Sequence, residues 1–274
     1  PFAGKLASLK IAAAYGGDRT WMMPVSGLEF VGPLTSLTLE NVAVAPFDEP
    51  GTSELQTLDL QVTEGVSGVA LALVSPKLTD LTLEGVTDVQ LRQLVSALPG
   101  LTGLRLFNSD VSSVRPLAGL RQLRQLVLQG SELRSIAPLR GLPLTHLTMG
   151  GQKVRDFTAL AGMRLRYLDV SFTQFSDVNV LASSAETLEE LDFSGTPLTD
   201  YNLEVDRSPK LTGLAKLTAL TTLRALTSPL AGCESQPEVW ETEGTLPMLT
   251  PDCSVIHELG SRPGVTVILE SFGC

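Results

Sequence analysis

The chain has 274 residues, 43% of them apolar, with 30 acidic against 20 basic side chains and a net charge of −10. That apolar share supports an extensive core, while the acidic balance argues against a nucleic-acid partner, because neutralising phosphates takes clustered Lys and Arg. No apolar run approaches the roughly 18 residues of a membrane-spanning helix; GVALALV, residues 68–74, is among the longest.

In chain order, Leu6, Leu9 and Ile11 form a first L-x-x-L-x-L head, and the long segment after it holds Trp21, Met22 and Met23, expected to cover the N-terminal end of the core. Further heads stand at Leu34, Leu37 and Leu39, at Leu55, Leu58 and Leu60, and at Leu78, Leu81 and Leu83. DVQLRQLVSAL, residues 88–98, reads as a helix opened by a capping Asp. From residue 101 the pattern becomes regular: heads start at 101, 123, 144, 165 and 188, spaced by 22, 21, 21 and 23 residues. Each head ends in strict alternation, which points Leu104 and Leu106 inward and Gly103, Arg105 and Phe107 outward on a strand. The second half of each repeat, such as VSSVRPLAGL, steps by three; Pro116 and Pro138 disfavour an α-helix there and suit a short 3₁₀ or extended return. Leu220 and Leu223 continue the heads, and 264–269 reads as a final strand, giving about ten repeats and an end.

A fixed period of 20–29 residues with this head is the signature of a leucine-rich repeat. Over about residues 6–226 the chain resembles the leucine-rich-repeat superfamily, in particular the short 21–23-residue class of the phosphatase-1 regulator and the bacterial internalins; LDVSFTQFSDV and LDFSGTPLTD are similar to that class's L-x-L-S-x-T form. The resemblance implies an α/β fold: a right-handed solenoid with a parallel concave sheet and a convex side of 3₁₀ or extended turns with occasional short helices. One domain over 1–274 is expected, with an N-terminal unit and cap over 1–33, repeats over 34–226, and a C-terminal cap with a loop over 227–274. At the ninth position, where the superfamily usually has Asn, this chain has Ser109, Ser131, Gln152, Thr173 and Thr196, with Val42 and Val86 earlier.

Catalytic chemistry finds little to work with. His146 and His257 are the only histidines, and although Asp169 lies within one repeat of His146, an open sheet face does not exclude water as a hydrolytic site does. No phosphate-cradling loop of the G-x-x-x-x-G-K-[ST] type occurs. Asp169 and Asp192 are neighbours in one column with Glu190 beside them, but the D-x-S pattern belongs to the repeat and Arg224 continues the column, so no metal site is assigned. No cofactor is expected and the chain reads as non-enzymatic.

Recognition therefore falls to the outward strand residues, whose charged members are mostly acidic. Within them Arg105, Phe107, Val127, His146, Tyr167, Asp169, Phe172, Glu190 and Asp192 make a segment of aromatic and charged residues, the usual anchors of a protein interface. Gly130, Gly150, Gly151 and Gly195 are expected to leave room for a groove beside them. Arg105 is expected to pair with Asp80 in preference to a partner's carboxylate. The expected activity is protein recognition through the concave face, with another protein as partner. The alternatives are a regulatory or targeting domain of a larger protein, such as a phosphatase regulator or ubiquitin-ligase component, and a surface or secreted ligand-binding ectodomain. Absence of any N-x-S/T sequon leans against heavy extracellular glycosylation, and Cys233, Cys253 and Cys274 read either as free thiols or as a Cys233–Cys253 disulfide with one thiol left over.

Overall fold

The computed structural model describes residues 7–12, 24–25, 34–40, 43–44, 54–61, 75–199, 211–225 and 254–268. Trp21, Met22, Met23 and the three cysteines lie outside them. The chain divides into two compact units, Pro1–Glu132 and Leu133–Cys274.

In the N-terminal unit the L-x-L heads become strands β1 (Ser8–Ala12), β3 (Ser36–Glu40), β5 (Thr57–Gln61), β6 (Asp80–Glu84), β7 (Gly103–Phe107) and β8 (Gln125–Leu128), each parallel to the next. Two short strands between heads, β2 (Pro24–Val25) and β4 (Ala43–Val44), pair with each other. The register is set by the leucines: Leu81, Leu104 and Leu126 stand opposite one another, as do Leu83, Leu106 and Leu128, and all are fully buried. Between them Thr82, Arg105 and Val127 form the column on the other face.

The C-terminal unit repeats the arrangement with β9 (His146–Thr148), β10 (Tyr167–Asp169), β11 (Glu190–Asp192), β12 (Thr222–Arg224) and β13 (Thr266–Ile268), again parallel. Its return segments bring Phe157 and Phe175 of adjacent repeats edge to face, with ring centroids 5.1 Å apart, inside the core. A short helix, Ser254–Gly260, buries Val255, Ile256 and Leu259, and Arg262 after it donates to the Ala215 and Leu217 carbonyls.

The returns follow the period of three. Pro116 and Pro138 enter 3₁₀ turns at Arg115–Gly119 and Ala137–Leu139, where a missing N–H is harmless. Proline is not what decides the matter, since Thr158–Leu160 and Val178–Ser184 are 3₁₀ without it. The α-helix expected near 88–98 is present as α1, Asp88–Ala97, but its cap is Thr87: the Thr87 hydroxyl accepts from Gln90 N while the Gln90 side chain accepts from Thr87 N, a reciprocal capping box. Asp88 stands one place inside and ties α1 to the next repeat, accepting from Ser112 N, Ser112 Oγ and Ser113 N.

Polar ties between turns are shared between two columns. At the ninth position Ser109 accepts from Val86 N at 3.1 Å and Gln152 accepts from Leu133 N at 3.0 Å, both reaching the preceding repeat. Thr173 and Thr196 instead bond carbonyls of their own repeats, Val170 and Phe193. Ser131, also buried, finds no partner for its hydroxyl among the described residues. The second position compensates: Thr35 and Thr102 each donate a hydroxyl to a carbonyl of the preceding repeat, at Ala7 and Thr79, and the Thr79 hydroxyl is shared between the Gln56 carbonyl and Asp80.

Candidate functional site: the exposed sheet face

A strand of a stacked repeat has one face spent on the core and one left over, so the second face is where side chains are free to differ. In the C-terminal unit, strand register lines up His146, Tyr167 and Glu190 in one column and Thr148, Asp169, Asp192 and Arg224 in the next. His146 and Tyr167 are half-buried and stacked, ring centroids 6.3 Å apart and planes inclined by 14°. His146 Nδ1 lies 2.9 Å from the Thr145 hydroxyl. Burial first, then the carboxylates of Asp169, Asp192 and Glu190, push the Tyr167 phenol above its ordinary pKa, with Arg224 opposing. The phenol thus remains a neutral donor at neutral pH.

Asp169 and Asp192 have a structural task as well. Asp169 Oδ1 accepts from Ser171 N at 2.9 Å and from Ser171 Oγ at 2.6 Å, and Asp192 Oδ1 accepts from Ser194 N at 2.9 Å. The D-x-S pattern is therefore the strand-ending turn in which an aspartate bonds the backbone two residues on. Among the described residues no group of three His, Cys, Asp or Glu is placed to hold a metal ion, and His146 makes no hydrogen bond to Asp169.

At the position directly after this turn, the repeats of β6 to β11 hold a residue in the left-handed region. Gly85, Asn108, Gly130, Gly151 and Gly195 serve there, and so does Phe172, at φ 54°. Phenylalanine is a poor choice for that conformation. Its ring is 59% exposed and rests on Gly195, where an added Cβ would come within 2.5 Å of it. Glycines expected to open a groove are thus filled positions: Phe172 occupies the space beside Gly195, Ser171 that beside Gly150 (2.6 Å from an added Cβ), and the Asn108 backbone that beside Gly130. Gly151 has open space but is at φ 74°, which supplies the turn.

In the N-terminal unit, Arg105, Phe107 and Val127 are half-buried on the exposed face of their strands. Arg105 does not pair with Asp80: its Nη2 donates to Gln125 Oε1 at 2.7 Å on the following strand. Asp80 accepts instead from the Thr79 hydroxyl and packs against Gly103, whose missing side chain makes room for it.

This architecture is the leucine-rich-repeat fold. No protein-family model matches the sequence, and no curated protein matches it. Solved structures do resemble it. The internalin InlF of Listeria monocytogenes is 15% identical over 98% of this chain and 87% of its own, with a TM-score of 0.55. A leucine-rich-repeat protein of Leptospira interrogans is 17% identical over 74% of this chain and 58% of its own, also at 0.55. The leucine-rich-repeat ectodomain of the plant membrane receptor kinase GASSHO1/SCHENGEN3 from Arabidopsis thaliana, solved in complex with CASPARIAN STRIP INTEGRITY FACTOR 2, is 18% identical over 89% of this chain and 28% of its own, at 0.54. At such identities the likeness concerns the fold. No described helix is long and apolar enough to cross a membrane.

Proposed function

We propose that this protein is a non-enzymatic recognition scaffold that grips another protein with the exposed face of its sheet, the face expected to be concave. The observation that carries this is Phe172. A bulky side chain held in a left-handed turn, 59% exposed, where the sister repeats place Gly or Asn, gives the fold less in partial burial than the conformation costs. Beside it in sequence, the Tyr167–His146 stack offers a rigid aromatic surface with a phenol donor, and Asp169, Glu190 and Asp192 surround it with carboxylates. Large aromatics with few rotamers are what interface centres are built from, and a ring of charges sets orientation and partner choice. Arg105, Phe107 and Val127 extend the same kind of surface within the N-terminal unit. The structure of the GASSHO1/SCHENGEN3 ectodomain in complex with CASPARIAN STRIP INTEGRITY FACTOR 2 supports the reading by showing this fold holding a partner.

The test is parallel affinity purification with the wild-type chain and a Tyr167→Ala/Phe172→Gly variant, followed by mass spectrometry. A protein retained by the first and lost by the second, with thermal unfolding unimpaired, is the expected result. Identical recovery of every captured protein would remove this face from consideration.

A further inference from the structure

On the return side of the N-terminal unit, two consecutive repeats use different elements. One returns as α1, ten residues long, and the next as the five-residue 3₁₀ turn Arg115–Gly119. An α-helix is the wider cylinder, so the two surfaces cannot lie flush. The step opens a cleft of about 610 Å³ lined by Arg92, Val95, Ser96, Ser113, Arg115 and Pro116. Val95 and Pro116 are half-buried and form an apolar floor, while Arg92 and Arg115 are exposed. Neither guanidinium has an ion pair or hydrogen bond among the described residues. Asp88, one helical turn before Arg92, spends its carboxylate on three hydrogen bonds from Ser112 and Ser113 and feels the Arg92 charge without a direct ion pair.

The charged lining of the cleft is basic in an acidic chain. The two charged side chains that line the cleft, Arg92 and Arg115, are both basic, and the acid beside them, Asp88, is the one bonded to Ser112 and Ser113. We propose that this cleft binds an acidic peptide segment of a partner protein, with carboxylates held by Arg92 and Arg115 and apolar side chains laid on Val95 and Pro116. The planar guanidinium matches a carboxylate with two parallel hydrogen bonds. An apolar floor between the two arginines suits a segment that alternates acid and hydrophobe better than a bare ion. A short segment responds mainly to charges within roughly 8 Å at physiological salt, and so to the two arginines that line the cleft. An anionic bilayer or a nucleic acid is larger and meets the repulsion of the whole chain, at −10. This surface belongs to the return side and stands or falls separately from the sheet face.

The experiment titrates a fluorescein-labelled short peptide, in which pairs of glutamates alternate with leucine, with the full chain and follows anisotropy. Co-sedimentation with phosphatidylserine vesicles runs beside it. Saturable, salt-sensitive peptide binding is expected, weakened at least about tenfold by Arg92→Glu/Arg115→Glu and unchanged by Arg121→Glu. Should the charge-reversed variant melt below wild type, Arg92→Gln/Arg115→Gln is read in its place. No saturable binding, an equal loss in Arg121→Glu, or capture by vesicles without capture of the peptide would each overturn the proposal.

Discussion

At Phe172 one side chain holds both a backbone conformation that disfavours it and a surface that water disfavours. Residues other than glycine in such regions cost on the order of 1–3 kcal/mol, and a ring that is 59% exposed recovers less than a full burial would. Phe172→Gly is therefore expected to stabilise the protein by about 1 kcal/mol in chemical denaturation, while abolishing partner capture. Gly195 depends on the same contact in the opposite sense. Gly195→Ala faces both φ 63° and the Phe172 ring, so it should be strongly destabilising alone and less so in the Phe172→Gly background. A double-mutant cycle measures the difference, and additive effects would show that the ring and Gly195 are not coupled.

Among the elements, α1 is the one whose ends are most fully specified. Thr87→Ala removes one half of a capping box and is expected to cost about 1 kcal/mol of stability in a denaturant titration. Asp88 adds a pH dependence. Hydrogen bonding, first from the Ser112 hydroxyl and then from the Ser112 and Ser113 amides, lowers its pKa below the ordinary value of 3.8, with Arg92 helping. A carboxylate whose folded pKa is depressed stabilises the fold above its unfolded pKa, and that contribution disappears as the pH falls through the folded one. The wild type should therefore lose more stability on acidification below about pH 4 than Asp88→Asn does. Equal losses would show that the tie between α1 and the next repeat is not electrostatic.

For the molecule as a whole, stability comes from each repeat covering the leucines of its neighbours. Leu126 is fully buried and stands in register with Leu104 on β7. Leu126→Asp buries an unpaired charge, worth several kcal/mol, and also uncovers a neighbour, so a severe loss of cooperative unfolding is expected by calorimetry. A soluble Leu126→Asp chain melting like the wild type would contradict the register itself.

The repeat was legible in the sequence because its two periods, two on the strand and three on the return, are set by backbone geometry that every turn shares. The inward leucines, the outward columns and the proline-entered 3₁₀ turns follow from spacing alone. What spacing cannot convey is which short-range bond each polar residue chooses. Thr87 displaces Asp88 as the cap, Gln125 displaces Asp80 as the partner of Arg105, and threonines at the second position share the ties that the ninth position makes only in part. The glycines misled for the same reason: a missing side chain signals space, but only the folded chain shows Ser171 and Phe172 already filling it. Periodicity repeats in every turn and is therefore written many times over, whereas each of these contacts is made once, between residues brought together only by the stacking.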